Sequence, residues 1–214
     1  MFYIELMHYS FLQVRRLPDV EYVEQDGVVR AMNVGSWGLD RVDQRYLPLD
    51  NSYTPSGRYS SISTGGDVVV YVIDTGVNQD HVDFEGRATH AWTYTGGTAE
   101  DCQGHGTHCA GIVGSKTYGV ATEVQIKGVK VLNCYGSGSY SNMIAVGVDS
   151  VGRAAVASMS VGGGASTSLD TAIRELVSSG VPVVVAAGNS NADACNYSPA
   201  REPSVGFVLL YTVA

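Results

Sequence analysis

Long apolar runs are missing from this sequence: nowhere do eighteen apolar residues follow one another, so no segment reads as a membrane-spanning helix. Basic residues are few, 13 Lys and Arg against 21 Asp and Glu for a formal charge of -8, which argues against nucleic acid and against anionic membrane surfaces as partners, since both select a basic face. Proline is scarce, 6 residues against 26 glycines, a ratio that points to many tight turns rather than to disorder. The first residues, Met1 to Met7, have no basic n-region and no small-residue cleavage site and carry Glu5, so no export signal is expected in the chain as written. The cysteines number four, and no Cys/His pair has a recognised zinc spacing. What remains is a 214-residue chain, 44% hydrophobic, long enough for one α/β domain with a sizeable core and an appendage.

The rest of the chain is organised around Val68-Val69-Val70-Tyr71-Val72-Ile73-Asp74-Thr75-Gly76, six apolar residues without alternation that run into a carboxylate and a glycine turn. A strand apolar on both faces belongs in a parallel sheet covered by helices on each side, and such sheets place ligands at the carboxyl ends of their strands. About thirty residues on, Gly104-His105-Gly106-Thr107-His108-Cys109-Ala110-Gly111 supplies a histidine at the start of a predicted helix. An Asp that orients a His general base is two-thirds of a nucleophilic triad; the bland alternative is a turn-capping Asp and a surface His. Further strands are predicted over Val124–Leu132, Ala154–Val161 and Val181–Ala187, with helices over Ser141–Val148 and Leu169–Ser178, the latter capped by Ser168. The pattern is βαβ repeated, an α/β fold with a doubly wound parallel sheet and helices on both faces.

Several stretches read as sites. Gly136-Ser137-Gly138-Ser139 is too bare of side chains to build a core, so its backbone is either an edge for an extended peptide or an ordinary turn. Ser160-Val161-Gly162 runs into a glycine-lined trough, and Asn189, after the last strand, is an amide suited to an oxyanion or a plain turn residue. Asp40, Asp43, Gln44 and Asp50 gather oxygen ligands within one loop, either a calcium site or a solvated acidic surface. Cys102 and Cys134 both fall at the carboxyl edge of the predicted sheet and are expected to pair, closing a loop of about thirty residues worth roughly 3 to 4 kcal/mol. Cys109 reads as a buried thiol and Cys195 has no evident partner. Residues 1–32 differ in composition, with one edge strand predicted over Val20–Glu24.

Taken together, Val72-Ile73-Asp74-Thr75-Gly76, Gly104-His105-Gly106-Thr107-His108, Ser160-Val161-Gly162-Gly163 and Ala186-Ala187-Gly188-Asn189 resemble the subtilisin-like serine proteases. Trp37-Gly38-Leu39-Asp40-Arg41, Val131-Leu132-Asn133-Cys134-Tyr135-Gly136 and Asn196-Tyr197-Ser198-Pro199-Ala200 point to the proteinase K and aqualysin branch. The resemblance implies that Asp74 orients His105, the general base, that Asn189 donates to the oxyanion, and that Gly136–Gly138 and Ser160–Gly162 hold the substrate backbone. It also implies an aqualysin-like Cys102–Cys134 disulfide, a thiol at Cys109 beneath the histidine, and calcium held by the carbonyls of Pro203 and Val205. Polypeptide substrates, an extracellular location and a monomer are what it leads one to expect. Residues 1–32 look like the end of an inhibitory propeptide cut near residues 31–36, with the peptidase domain over 33–205 and a divergent tail over 206–214.

The family's serine motif, Gly-Thr-Ser-Met-Ala, occurs nowhere in these 214 residues, and the region Asp149–Ala155 is shorter than the family shows. The expectation is therefore a domain incomplete at its C-terminus, as a truncated, mis-spliced or frame-shifted product, and inactive as written. The competing reading is a non-catalytic peptide-binding remnant. A cysteine nucleophile at Cys109 paired with His105, and a zinc site from His105, His108 and Cys102 or Cys109, rank below both.

Overall fold

The computed structural model describes residues 20, 27–31, 38–43, 45–48, 64–94, 97–148 and 153–208. In chain order these form β1 (Val28–Ala31), α1 (Gly38–Asp43), β2 (Val68–Asp74), β3 (Ala88–Thr93), α2 (His105–Gly114), β4 (Gln125–Lys130), β5 (Ser137–Ser139), α3 (Tyr140–Ile144), β6 (Ala154–Met159), β7 (Val161–Gly164), α4 (Thr167–Ser178), β8 (Val183–Ala186), β9 (Tyr197–Ser198) and β10 (Gly206–Val208). The strand predicted over Val20–Glu24 falls mostly outside the described residues.

Six strands make a parallel sheet in the order β10-β8-β6-β2-β4-β3. The uninterrupted apolar run of β2 explains its central place. Val69, Tyr71 and Ile73 face one core with Leu169 and Ile173 of α4 and Met143 of α3. Val70 and Val72 face a second core with Cys109 and Ala110 of α2 and with Phe84. Successive side chains of a strand point to opposite faces, so a strand with helices on both sides must be apolar at every position. Ile73, Leu169 and Ile126 have no accessible surface, and each such side chain contributes about 1.5 to 3 kcal/mol by leaving water.

A smaller antiparallel sheet, order β5-β1-β7-β9, stands beside the carboxyl edge of the first. In it β1, from the segment expected to be a separate propeptide remnant, lies between two strands of the region expected to be the main domain, β5 and β7. Val28, Val29 and Arg30 pair with Ser139, Gly138 and Ser137, and Arg30 and Ala31 pair with Gly162 and Val161.

Several sequence expectations are corrected. The helix expected over Ser141–Val148 covers only Tyr140–Ile144, because Val146 turns back on Met143 in a tighter bond and Gly147 follows. The cap of α4 is Ser166, whose Oγ accepts from Leu169 N at 3.3 Å, not Ser168, which lies inside the helix. β3 was not anticipated: its sequence Ala-Thr-His-Ala-Trp-Thr is that of an edge strand, with polar residues at the exposed Thr89 and half-buried His90. Gly206–Val208, expected to fall in a divergent tail, extends the sheet as β10, pairing in parallel with Val184–Ala186.

Candidate active site

The parallel sheet ends β2 at Asp74 and brings the first turn of α2 against it. Gly106 permits this approach, since a Cβ there would fall on the carbonyl oxygen of Gly76 and press on Asp74 Cβ. His105 Nδ1 then lies 2.7 Å from Asp74 Oδ1, with the two side chains 3% and 1% exposed. Nδ1–H donates to the carboxylate in either charge state; in the neutral ring this fixes the tautomer and leaves Nε2 able to take a proton from a nucleophile. Burial by itself lowers the His105 pKa. The hydrogen bond to Asp74, the neighbouring Cys109 thiol and the Asp74 charge outweigh it, so the imidazole is held well above its usual range. Asp74 Oδ1 also accepts from Thr75 N at 2.7 Å, while its Oδ2 is buried without a hydrogen-bond partner.

The first turn of α2 is anchored by side chains. His105 N donates to Gln103 Oε1 at 2.8 Å, Gly106 N to Thr75 Oγ1 at 2.9 Å and Thr107 N to Asp101 Oδ2 at 3.0 Å, so the donors that a helix start leaves open are all used. Sequence reasoning passed over Thr75, Gln103 and Asp101. The signal was local: an Asp four residues before the histidine, with a Gln between, at a helix start whose cap residue is a glycine with φ +99° and no side-chain acceptor.

Cys102 and Cys134 are joined, with Cα atoms 5.0 Å apart, tying the loop before α2 to the segment after β4. Lys130 Nζ donates to Thr75 O and lies 3.5 Å from Cys102 Sγ, a buried ammonium whose pKa burial lowers against the opposing pull of Asp101, Asp74 and Glu100. Cys109 Sγ is 3.8 Å from His105 Nδ1 and 3.9 Å from Nε2. Equal distances to both nitrogens put the sulfur off the Nε2 lone-pair axis, which disfavours a cysteine nucleophile. Asp74, His105 and Cys109 are the sole group of three potential metal ligands among the described residues. The zinc set from sequence fails, since Cys102 is consumed by the disulfide and His108 is exposed while His105 and Cys109 are buried.

Gly136–Gly138 and Ser160–Gly162 flank β1 on its two sides: β5 includes Ser137 and Gly138, and Ser160 is the hinge between β6 and β7. Beyond the far end of this groove Tyr140 N donates to Gly27 O at 3.0 Å, and the Tyr140 hydroxyl donates to Gly164 O at 2.5 Å. Asn189 is exposed and follows β8, at the same sheet edge as Asp74. Of the calcium expectations, Gln44, Asp50 and the side chain of Asp43 lie outside the described residues, and Asp40 is in α1. Pro203 is exposed and Val205 buried, and the adjacent carboxylate, Glu202, is committed to Arg174 at 2.6 Å and to the Ser204 hydroxyl at 2.8 Å.

The family description Peptidase_S8, Subtilase family, matches residues 65–211. An extracellular serine proteinase of Thermus sp. (strain Rt41A) is 50% identical over 207 residues, covering 92% of this chain and 49% of the relative. Proteinase R of Parengyodontium album is 50% identical over 204 residues, covering 90% and 51%. Among solved structures, that of a cold adapted subtilisin-like serine proteinase superposes with a TM-score of 0.70 at 47% identity, over 80% of this chain and 62% of that one. The chain spans about half the length of these two curated relatives. With a family match over more than half its length, and with the parallel sheet that carries Asp74 and His105, the chain belongs to the subtilase family.

Proposed function

We propose that this chain carries the acid–base half and the peptide groove of a serine endopeptidase, whose chemistry is peptide-bond hydrolysis by acyl transfer. The buried 2.7 Å Asp74–His105 contact carries the reading, because no structural need of the fold calls for an imidazole hydrogen-bonded to a carboxylate at the strand edge. In this scheme His105 Nε2 takes the proton of a serine hydroxyl, Asp74 stabilises the imidazolium, and the Asn189 amide donates to the oxygen that gains charge. The groove strands β5 and β7 hold the substrate backbone by β-augmentation, and β1 occupies that groove as the end of an inhibitory propeptide cut within residues 31–36. An extracellular location, polypeptide substrates and calcium held by Asp40, Asp43, Gln44 and Asp50 belong to the same reading.

The Gly-Thr-Ser-Met-Ala motif is not among the 214 residues, so little turnover is expected from the chain as given. In subtilisin, removal of the serine costs about 10⁶ in kcat and leaves roughly 10³ to 10⁴ over water from the oxyanion donors and binding. The test is a chromogenic peptide assay on purified chain beside His105→Ala and Asn189→Ala. Residual hydrolysis of this kind is expected to fall in Asn189→Ala and to be indifferent to His105→Ala, because without the serine the histidine has no nucleophile to serve; residual hydrolysis that Asn189→Ala leaves untouched removes the oxyanion assignment. Turnover near one per second, blocked by a serine-directed phosphonate, overturns the incompleteness. A second reading, a peptide-binding module without catalysis, is favoured by the two-sided pairing of β1. It predicts that a labelled peptide of the β1 sequence binds with equal affinity in His105→Ala.

A further inference from the structure

We infer that Asp101 is a positioning residue for the Asp74–His105 pair, an inference that rests on the reading of that pair as the acid–base part of a peptidase site. Asp74 ends one element and His105 begins another, so their 2.7 Å contact requires that the end of β2 and the start of α2 be held in fixed relation. Asp101 belongs to neither element and bonds to Thr75, the residue just after β2, and to Thr107 within α2. Its Oδ1 accepts from Thr75 Oγ1 at 2.8 Å, from Gly104 N at 2.8 Å and from Gln103 N at 3.0 Å. Its Oδ2 accepts from Thr107 N at 3.0 Å and Thr107 Oγ1 at 2.5 Å. One carboxylate therefore grips the residue that follows Asp74 and the chain on both sides of His105.

The bond to Thr75 separates positioning from ordinary capping. A helix cap requires acceptors for the first-turn N–H groups, and for Asp101 that part is complete with Gly104 N and Thr107 N, the His105 and Gly106 N–H groups going to Gln103 and Thr75. Thr75 is 26 residues away, immediately after the end of β2. Its hydroxyl donates to Asp101 and accepts from Gly106 N, while its own N–H donates to Asp74 Oδ1. The relay Asp101–Thr75–Asp74 thus sets one partner of the pair, and Asp101–Gly104 and Asp101–Thr107 set the other. Five donors converge on the carboxylate, so an amide cannot replace it. Asparagine has one acceptor oxygen, and its NH₂ turned toward Thr107 meets a backbone N–H. The other ionisable groups around the pair are Lys130, which donates to Thr75 O, Cys109 beneath the imidazole, and Glu100 beside Lys130.

The experiment follows the Nδ1 proton of His105, whose bond to Asp74 moves its NMR resonance to low field and slows its exchange with water. The unaltered 214-residue chain is compared with Asp101→Asn, Thr75→Val and Thr75→Ser. A control, Asp170→Asn, alters a buried carboxylate of α4 that serves Ser198 Oγ at 2.6 Å and Arg201 Nε at 3.1 Å. Loss of the low-field resonance in Asp101→Asn and Thr75→Val, with retention in Thr75→Ser and in the control, is the expected result. Retention in Asp101→Asn and Thr75→Val, or equal loss in Asp170→Asn, overturns it, as does absence of the resonance from the unaltered chain. If Asp101→Asn does not fold by circular dichroism, the Thr75→Val and Thr75→Ser pair decides. The readout needs no turnover, so failure of the peptidase assay leaves this result standing, and a peptidase with an unaffected resonance in both variants sinks the role of Asp101 alone.

Discussion

At the scale of single residues, the site is a buried ionisable pair whose balance depends on pH. The folded-state pKa of His105 is raised above its ordinary 6.5. The imidazolium's bond to Asp74 therefore contributes its full stability below pH 6.5, and that contribution falls as pH rises toward the elevated folded value. The loss of Tm in His105→Ala relative to the unaltered chain is expected to be larger at pH 6 than at pH 9, and an equal loss at both would contradict the pairing. The two free cysteines separate by position. Cys109 is buried beneath the histidine and Cys195 is exposed, its thiol pKa raised by the Asp193 carboxylate that its backbone also bonds. Native alkylation at pH 9 is expected to label Cys195, with Cys109 reacting after denaturation. Fast native labelling of Cys109 would revive the cysteine-nucleophile reading.

At the scale of elements, local caps and contacts hold the site's supports in place. Ser166→Ala removes the cap of α4, whose Leu169 and Ile173 are in the core, and is expected to cost about 1 kcal/mol in denaturant unfolding, whereas Ser168→Ala should cost far less. Gly106→Ala should do more harm than its size suggests, because the added methyl meets the Gly76 carbonyl and the end of β2 rather than open space. Cys102→Ser opens a loop closed across 32 positions, with an expected cost of about 3 to 4 kcal/mol. A cost near zero would mean that the disulfide's loop is already ordered in the unfolded chain. The sequence showed β2 and α2 plainly, through the apolar run and the His105 block. It misassigned the cap of α4, since Ser166 and Ser168 are equally suited in composition and only the Ser166 backbone has the extended conformation a cap needs.

At the scale of the whole molecule, distant parts of the chain converge on the last strands. Glu202 is 3% exposed and pairs with Arg174 of α4, while Asp170 of the same helix pairs with Arg201 and Ser198. Burial raises the Glu202 pKa, but its bonds to Arg174 and Ser204 outweigh that and hold it below its usual 4.5. Its contribution is present above pH 4.5 and is lost as pH falls through the lowered folded value. Acid unfolding of the chain is expected to be shallower in Glu202→Gln, and an unchanged acid limb would remove Glu202 from the account.

What the sequence by itself determined is local and chemical. An uninterrupted apolar strand needs two covered faces, so β2 had to lie inside a parallel sheet, and an acidic residue at its end had to lie at the edge where such sheets carry their sites. The residue types of the Asp74 and His105 blocks carry their chemistry with them, and so does the affinity of Cys102 for Cys134 at a shared edge. Only the tertiary structure decided that β1 lies between β5 and β7 and which side chains bond around the pair. β1 has no pattern of its own to mark it as the strand between β5 and β7, because strand pairing between segments more than a hundred residues apart is set by the surfaces that remain open once the main sheet is built. The bond of Asp101 to Thr107 lies within one local stretch and was open to sequence reading, but its bond to Thr75, 26 residues away, was not. Hydrogen-bond partners on separate parts of the chain are chosen by where those parts come to rest, and no periodicity encodes that distance.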